Sequence, residues 1–150
     1  MGGITELFEL KPAPLKFRPS TEGPQIFDGL RKIWLPAKPE ELVRQTLIYF
    51  MIQVLKYPKG LISQEAPLKR INKKFRADIL VRNRVGEPWL LVECKSPKVE
   101  LTDNTLNQAI NYAALSKTQF VAICNSISCV YLKLNDSNPV WVAGLPEFSF

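Results

Sequence analysis

The stretch Lys69–Pro97, K-R-I-N-K-K-F-R-A-D-I-L-V-R-N-R-V-G-E-P-W-L-L-V-E-C-K-S-P, decides how this 150-residue chain folds. It reads as two β-strands, Phe75 to Val81 and Trp89 to Cys94, joined by a polar turn. Three charged side chains, Asp78, Glu93 and Lys95, stand where a strand pattern prefers apolar ones. Side chains alternate faces with period two, so Glu93 and Lys95 point one way and Val92 and Cys94 the other. A hairpin folded symmetrically about Val85-Gly86 sets Asp78 directly opposite Glu93, with Cβ atoms roughly 5 Å apart. Two carboxylates and an amine crowded onto one face suit a divalent cation better than a structural core.

The length fits one domain, residues 1–150, with a single core. Three parts are expected: a Pro-rich arm with a small hairpin (1–38), a core (39–134) and a C-terminal tail (135–150). Apolar residues make up 46% and charged residues 23%, ordinary globular values that leave a core within reach. No apolar run approaches the ~20 residues of a membrane span. The start, M-G-G-I-T-E-L-F-E-L, lacks a signal peptide's basic and apolar regions, so a cytoplasmic location and no membrane contact are expected.

Histidine is absent. That excludes most zinc sites, catalytic triads and histidine-based nucleases, each of which needs imidazole as ligand or base. Cys94, Cys124 and Cys129 lie in apolar strands without C-x-x-C spacing and read as reduced core residues. Hydrolytic chemistry here must rest on carboxylates, lysine and a hard, oxygen-seeking metal. The formal charge of +6 and pI near 9.3 favour an anionic partner, and positive charge concentrates between Lys69 and Arg84.

Before the hairpin, Pro12, Pro14, Pro19 and Pro24 rule out a long helix over residues 1–25 and predict an extended arm. Ile26 to Asp28 and Lys32 to Leu35 suggest a small hairpin around Asp28-Gly29. A helix should begin at Pro39, with Glu40 and Glu41 in its first turn. Val43, Leu47, Phe50 or Met51, and Val54 would form its buried stripe down to about Lys56. Leu61 to Leu68 reads as the strand preceding the hairpin. A second helix is expected from Thr102 or Asp103 to Lys117, burying Leu106, Ala109, Ile110 and Ala113. Gln119 to Cys124 and Ser128 to Leu134 follow as strands, with Val140-Trp141-Val142 as a short addition. The expected class is α/β (α+β): a mixed sheet flanked by helices, in the core order α-β-β-β-α-β-β.

Asp78, Glu93 and Lys95 make sense as a phosphodiesterase centre. Mg²⁺ takes oxygen ligands, usually one or two carboxylates with water and phosphate completing the shell. Asp78 and Glu93 would supply those oxygens and the backbone carbonyl of Cys94 another, with Mn²⁺ able to substitute. Lys95 would orient or deprotonate the attacking water and offset transition-state charge. The competing reading of an isolated E-x-K is a surface ion pair on a half-exposed sheet.

The ordered set separates the two. Asp78 followed by Glu93-Cys94-Lys95, an acidic first helix turn and a downstream helix carrying Gln108-Ala109-Ile110-Asn111-Tyr112 resemble the PD-(D/E)xK nuclease superfamily, with its restriction-endonuclease-like fold. The last segment fits the Q-x-x-x-Y motif of the RecB-type branch. I-F-D-G-L-R-K-I-W-L, P-E-E-L-V-R-Q, A-D-I-L-V and L-L-V-E-C-K-S-P are similar to the N-terminal nuclease domain of type I restriction enzyme R subunits, over about residues 26–134. The resemblance implies a catalytic core in which Asp78 and Glu93 are metal ligands and Lys95 is the catalytic lysine. Glu40 or Glu41 would orient Lys95 or a water; adjacent helix residues point about 100° apart, so either can face the sheet. Gln108 and Tyr112, at i and i+4, would hold the active-site loop or touch a DNA phosphate, or else simply pack.

Lys69, Arg70, Lys73, Lys74 and Arg76, with Arg82 and Arg84, would neutralise phosphates beside the cleavage point, or form a solvated turn. Two departures stand out. Ala77 replaces the signature proline, and no G-x-x-x-x-G-K-[ST] loop occurs in these residues. The expected activity is Mg²⁺-dependent cleavage of DNA, double-stranded by preference, with a protein partner supplying specificity or translocation. The alternative is a non-catalytic nucleic-acid- or protein-binding module of the same fold. Oligomeric state is left open by the sequence.

Overall fold

The computed structural model describes residues 8–9, 11–67, 76–125, 128–135 and 138–148. In chain order the strands are β1 (Phe8–Glu9), β2 (Phe17–Arg18), β3 (Gln25–Asp28), β4 (Ile33–Pro36) and β5 (Ile62–Pro67). They continue as β6 (Arg76–Arg82), β7 (Pro88–Cys94), β8 (Phe120–Cys124), β9 (Ser128–Lys133) and β10 (Val140–Trp141). Helix α1 (Pro39–Tyr49) precedes β5, and α2 (Asp103–Leu115) lies between β7 and β8. The main sheet runs β1-β9-β8-β7-β6-β5, with β10 also on β9, and a separate sheet runs β2-β3-β4. The β7–β8 pair is parallel while its neighbours are antiparallel, so α2 is the crossover that a parallel pair requires. The molecule is a mixed α/β domain with helices flanking a mixed sheet, and its central elements follow the expected order α-β-β-β-α-β-β.

The alternation of the central strands builds two cores. Ile79, Val81, Leu90 and Val92 turn to one face and pack with Val43, Leu47 and Met51 of the α1 segment. Leu80, Leu91, Val121 and Ile123 turn to the other and meet Leu106, Ala109 and Ala113 of α2. Thr102 caps α2 by accepting from the Thr105 amide at 3.3 Å, which fixes the helix start at the predicted place.

The first helix departs from its expected stripe. After Tyr49 it continues as a π-helical turn, Phe50–Val54. The wider turn changes the phase of the side chains, so Met51 is buried and Val54 is 60% exposed. Pro39 does stand at the helix start, with Glu40 and Glu41 in the first turn. The small hairpin is β3 and β4, in register Phe27↔Trp34 and Asp28↔Ile33. The arm preceding it is not merely extended: β2 adds to β3, and β1 pairs with the edge of β9. Cys94, Cys124 and Cys129 are buried free thiols, as their apolar setting implied.

Candidate functional site

The central hairpin forms in the register that its turn symmetry implies. Ile79 faces Val92, Leu80 faces Leu91 and Val81 faces Leu90, so Asp78 and Glu93 lie at the same end of the strand pair. Asn83 closes the other end, accepting the Val85 and Glu87 amides at 3.1 and 2.9 Å. Gly86, at φ 87°, supplies the left-handed residue of that loop. The Asp78 and Glu93 carboxyls are near enough for the charge of Asp78 to act on Glu93. Asp78 Oδ2 accepts the Cys94 amide at 2.7 Å, which locks one carboxylate to the end of β7.

The two carboxylates nevertheless open onto different cavities, where a single shared face was expected. The cause lies in β5. Glu65 adopts φ 53°, a conformation unfavourable for a residue with a side chain, at the position opposite Asp78 in the β5–β6 ladder. Strict alternation would put Ala77 and Ile79 on one face, yet Ala77 packs in the α2 core and Ile79 in the α1 core. Asp78 therefore lines a cavity of about 190 Å³ with Glu40, Glu41, Arg44, Glu65 and Cys94, on the α1 side. Glu93 lines one of about 160 Å³ with Lys95, Thr105, Gln108 and Tyr112, on the α2 side. The carboxyl pair bridges them.

Both helix glutamates reach the first cavity, in different states. Glu40 is exposed. Glu41 is buried in a bidentate pair with Arg44 and accepts from Gln45 Nε2 at 2.9 Å. Arg44 also lies 3.5 Å from Glu65, which Arg31 holds at 3.0 Å. Arg31 in turn pairs with the wholly buried Asp28 at 2.7 Å. Gln64 donates to Asp28 at 3.1 Å and accepts from Gln45 at 3.2 Å, closing the network between the small hairpin, α1 and β5. Arg31, Arg44 and Glu65 were missed as site residues. The sequence signal for Arg44 was its i+3 spacing from Glu41; for Glu65 there was none, because its role follows from a backbone conformation.

Gln108 and Tyr112 do come to the Glu93–Lys95 cavity, because the i, i+4 pair lies beside the Ala109 stripe that packs on β8. Leu115, the last residue of α2, is 57% exposed beyond the end of the packed face. Of the basic residues, Lys69, Arg70, Lys73 and Lys74 lie outside the described residues. Arg76 donates to the Glu65 carbonyl at 3.2 Å, near the carboxyl end of the hairpin. Arg82 and Arg84 are at the loop end, where Arg82 donates to the Gly86 carbonyl and Arg84 stacks over Phe148 at 5.4 Å. Arg82 is four residue steps from Asp78, roughly 13 Å along the strand.

Burial, reinforced by the Asp78 charge, pushes the Glu93 carboxyl up to about 8, with Lys95 opposing the shift. Burial raises Asp78 as well, against the Cys94 amide and the Arg44 and Lys95 charges. Glu93 Oε1 is buried and has no hydrogen-bond partner. Two adjacent carboxyls that resist joint ionisation, one with an orphaned buried oxygen, fit a hard divalent cation that would neutralise both. Among the described residues, no group of three or more Asp, Glu, Cys or His side chains is assembled to hold a metal, so water and substrate oxygens would have to complete the shell. Among the described residues no helix is long and apolar enough to cross a membrane.

Residues 39–147 match the protein-family model described as "Type I restriction enzyme R protein N terminus". No curated protein matches the chain.

Proposed function

From the premise that the chain belongs to the N-terminal domain family of type I restriction enzyme R proteins, we propose that it is a Mg²⁺-dependent DNA endonuclease domain of restriction-endonuclease-like fold. The observation that carries this reading is the Asp78–Glu93 carboxyl pair beside Lys95, with Glu93 Oε1 buried and unpartnered. Asp78 and Glu93 would hold the cation, joined by the Cys94 carbonyl. A cation there supplies Lewis-acid polarisation of a phosphoryl oxygen and a more acidic attacking water.

The protein's own groups do the rest. Lys95, sharing its cavity with Glu93, orients the attacking water and offsets charge as it builds on the phosphate. The Cys94 amide fixes Asp78, so the ligand pair is positioned before substrate arrives. Glu41 is engaged by Arg44 and Gln45 and acts by positioning, which leaves the exposed Glu40 to meet water in the same cavity. Gln108 and Tyr112 border the Lys95 side, where their polar ends meet a phosphate. Double-stranded DNA is the substrate, and a protein partner supplies sequence choice or translocation.

Purified protein incubated with Mg²⁺ or Mn²⁺ on plasmid and linear DNA tests this, beside Asp78→Ala and Lys95→Ala. Each substitution is expected to lower cleavage by about a hundredfold or more. Activity that survives both sinks the assignment. A second reading, a non-catalytic binding module, is favoured by the small number of assembled acidic ligands. It requires DNA binding indifferent to metal and no Mn²⁺ uptake in calorimetry, whereas the nuclease reading requires uptake that Asp78→Ala abolishes.

A further inference from the structure

The small N-terminal sheet carries chemistry that the carboxyl site does not use. Pairing of Phe27 with Trp34, and of Arg18 with Gln25, puts these four side chains on one face, while Ile26 and Asp28 of β3 are buried on the other. The Phe27 and Trp34 rings meet with centroids 5.1 Å apart. Each ring has a cation over it: Lys16 Nζ is 5.9 Å from the Phe27 centroid, and the Arg18 guanidinium is 4.4 Å from that of Trp34. Arg18 is held there by donating Nε to Gln25 at 2.7 Å, so its stacked geometry is prearranged.

This face runs into a groove. Phe27 and Lys16 also line a cavity of about 270 Å³ against α1, where Tyr49 and Lys59 add a third ring and a third cation. Among the described residues no carboxylate lines it. Its size is near the lower end of small-molecule pockets, roughly 300 Å³, enough for one base. Aromatic rings interleaved with cations, in a groove whose described lining residues carry no negative charge, match what single-stranded nucleic acid demands. Bases stack on the rings without regard to sequence, and phosphates follow the cations.

We infer that this face and groove form a binding site for single-stranded nucleic acid, separate from the central hairpin. Bases stack at Phe27, Trp34 and Tyr49, and the backbone is held by Lys16, Arg18 and Lys59. The site also has a physical route to the carboxylates. Gln45 lines the groove and donates to Glu41, which lines the Asp78 cavity, so a bound strand lies one side of α1 from that cavity. Binding itself needs neither metal nor cleavage, so it stands or falls independently of the nuclease reading.

The test is fluorescence anisotropy of a labelled oligothymidylate of about 12 nucleotides with the full chain, in EDTA and across a salt series. The parent binds. Lys16→Glu combined with Arg18→Glu, both exposed positions, weakens binding about tenfold or more and lowers the salt slope by roughly 1.4, or 0.7 for each lost contact. Trp34→Ala weakens it about fivefold, and Trp34→Phe restores most of the loss, a pattern that charge alone would not give. Lys133→Glu, on β9, stays within about twofold, and thermal unfolding verifies that every variant is folded. A parent that does not bind, or a Lys16/Arg18 variant that binds as the parent does, overturns the inference. So does a duplex of equal length that binds more tightly than the single strand.

Discussion

At the scale of single residues, Glu93 gives the sharpest expectation. Its carboxyl is raised to about 8 from an ordinary 4.5, chiefly by burial and then by Asp78. Between those values the folded state binds more protons at this position than the unfolded state. The metal-free fold is therefore best served below about pH 4.5 at this site. It loses stability as pH rises to about 8, by up to roughly 1.4 kcal/mol per pH unit. Denaturant unfolding in EDTA near pH 5.5 and near pH 8.5 should show that loss, and Glu93→Gln should flatten much of it. A second residue-scale expectation concerns Lys56, exposed at φ 59° just past the π-helical turn. A side chain there costs about 1 kcal/mol of backbone strain. Lys56→Gly is expected to raise stability by about 0.5 kcal/mol, the remainder being offset by greater freedom of the unfolded chain. A lowered denaturation midpoint would refute it.

Among elements, the start of β7 is the most heavily committed. Trp89 is 1% exposed and meets Tyr57, Phe120 and Phe148 with centroids 5.6, 5.3 and 5.2 Å away. The Tyr57 hydroxyl donates to the Pro146 carbonyl, so the C-terminal segment is held over this strand by both a ring and a hydrogen bond. Trp89→Ala is expected to cost roughly 3–5 kcal/mol, and Phe148→Ala, at the less enclosed side, roughly 2 kcal/mol. Calorimetric unfolding measures both, and near-equal losses would contradict this ranking. The residues after Leu134 read in sequence as a tail. The aromatic cluster packs the partly buried Phe148 of that segment against the core, a contact that periodicity over so short a segment could not convey.

For the whole molecule, the polar network from Asp28 to Glu41 joins the small sheet to α1 and β5. Asp28 is fully buried and accepts from the Leu30 and Arg31 amides, the Arg31 guanidinium and Gln64. Burial raises its carboxyl, but the hydrogen bonds from Arg31 and Gln64 and the Arg31 charge outweigh burial and leave it below the usual value. Asp28→Ala strands those donors and should cost roughly 3 kcal/mol. Hydrogen exchange should then speed up in β3 and β4 more than in β7 and β8; uniform change would mean that the network does not tie the two sheets together. The hairpin register, both helix starts and the approach of Gln108 and Tyr112 to Glu93 were legible in the amino-acid sequence. The register and helix starts follow from turn symmetry, Pro39 and the Thr102 cap, all local rules, whereas the place of Gln108 and Tyr112 was implied by the Q-x-x-x-Y resemblance. The sequence alone thus determined a mixed sheet with flanking helices and brought Asp78, Glu93 and Lys95 to one end of a strand pair. Only the tertiary structure decided that Asp78 and Glu93 open onto separate cavities, and that Arg31 and Arg44 both reach Glu65. Those depend on the left-handed turn of Glu65 and on contacts between segments far apart in the chain, which local periodicity does not encode.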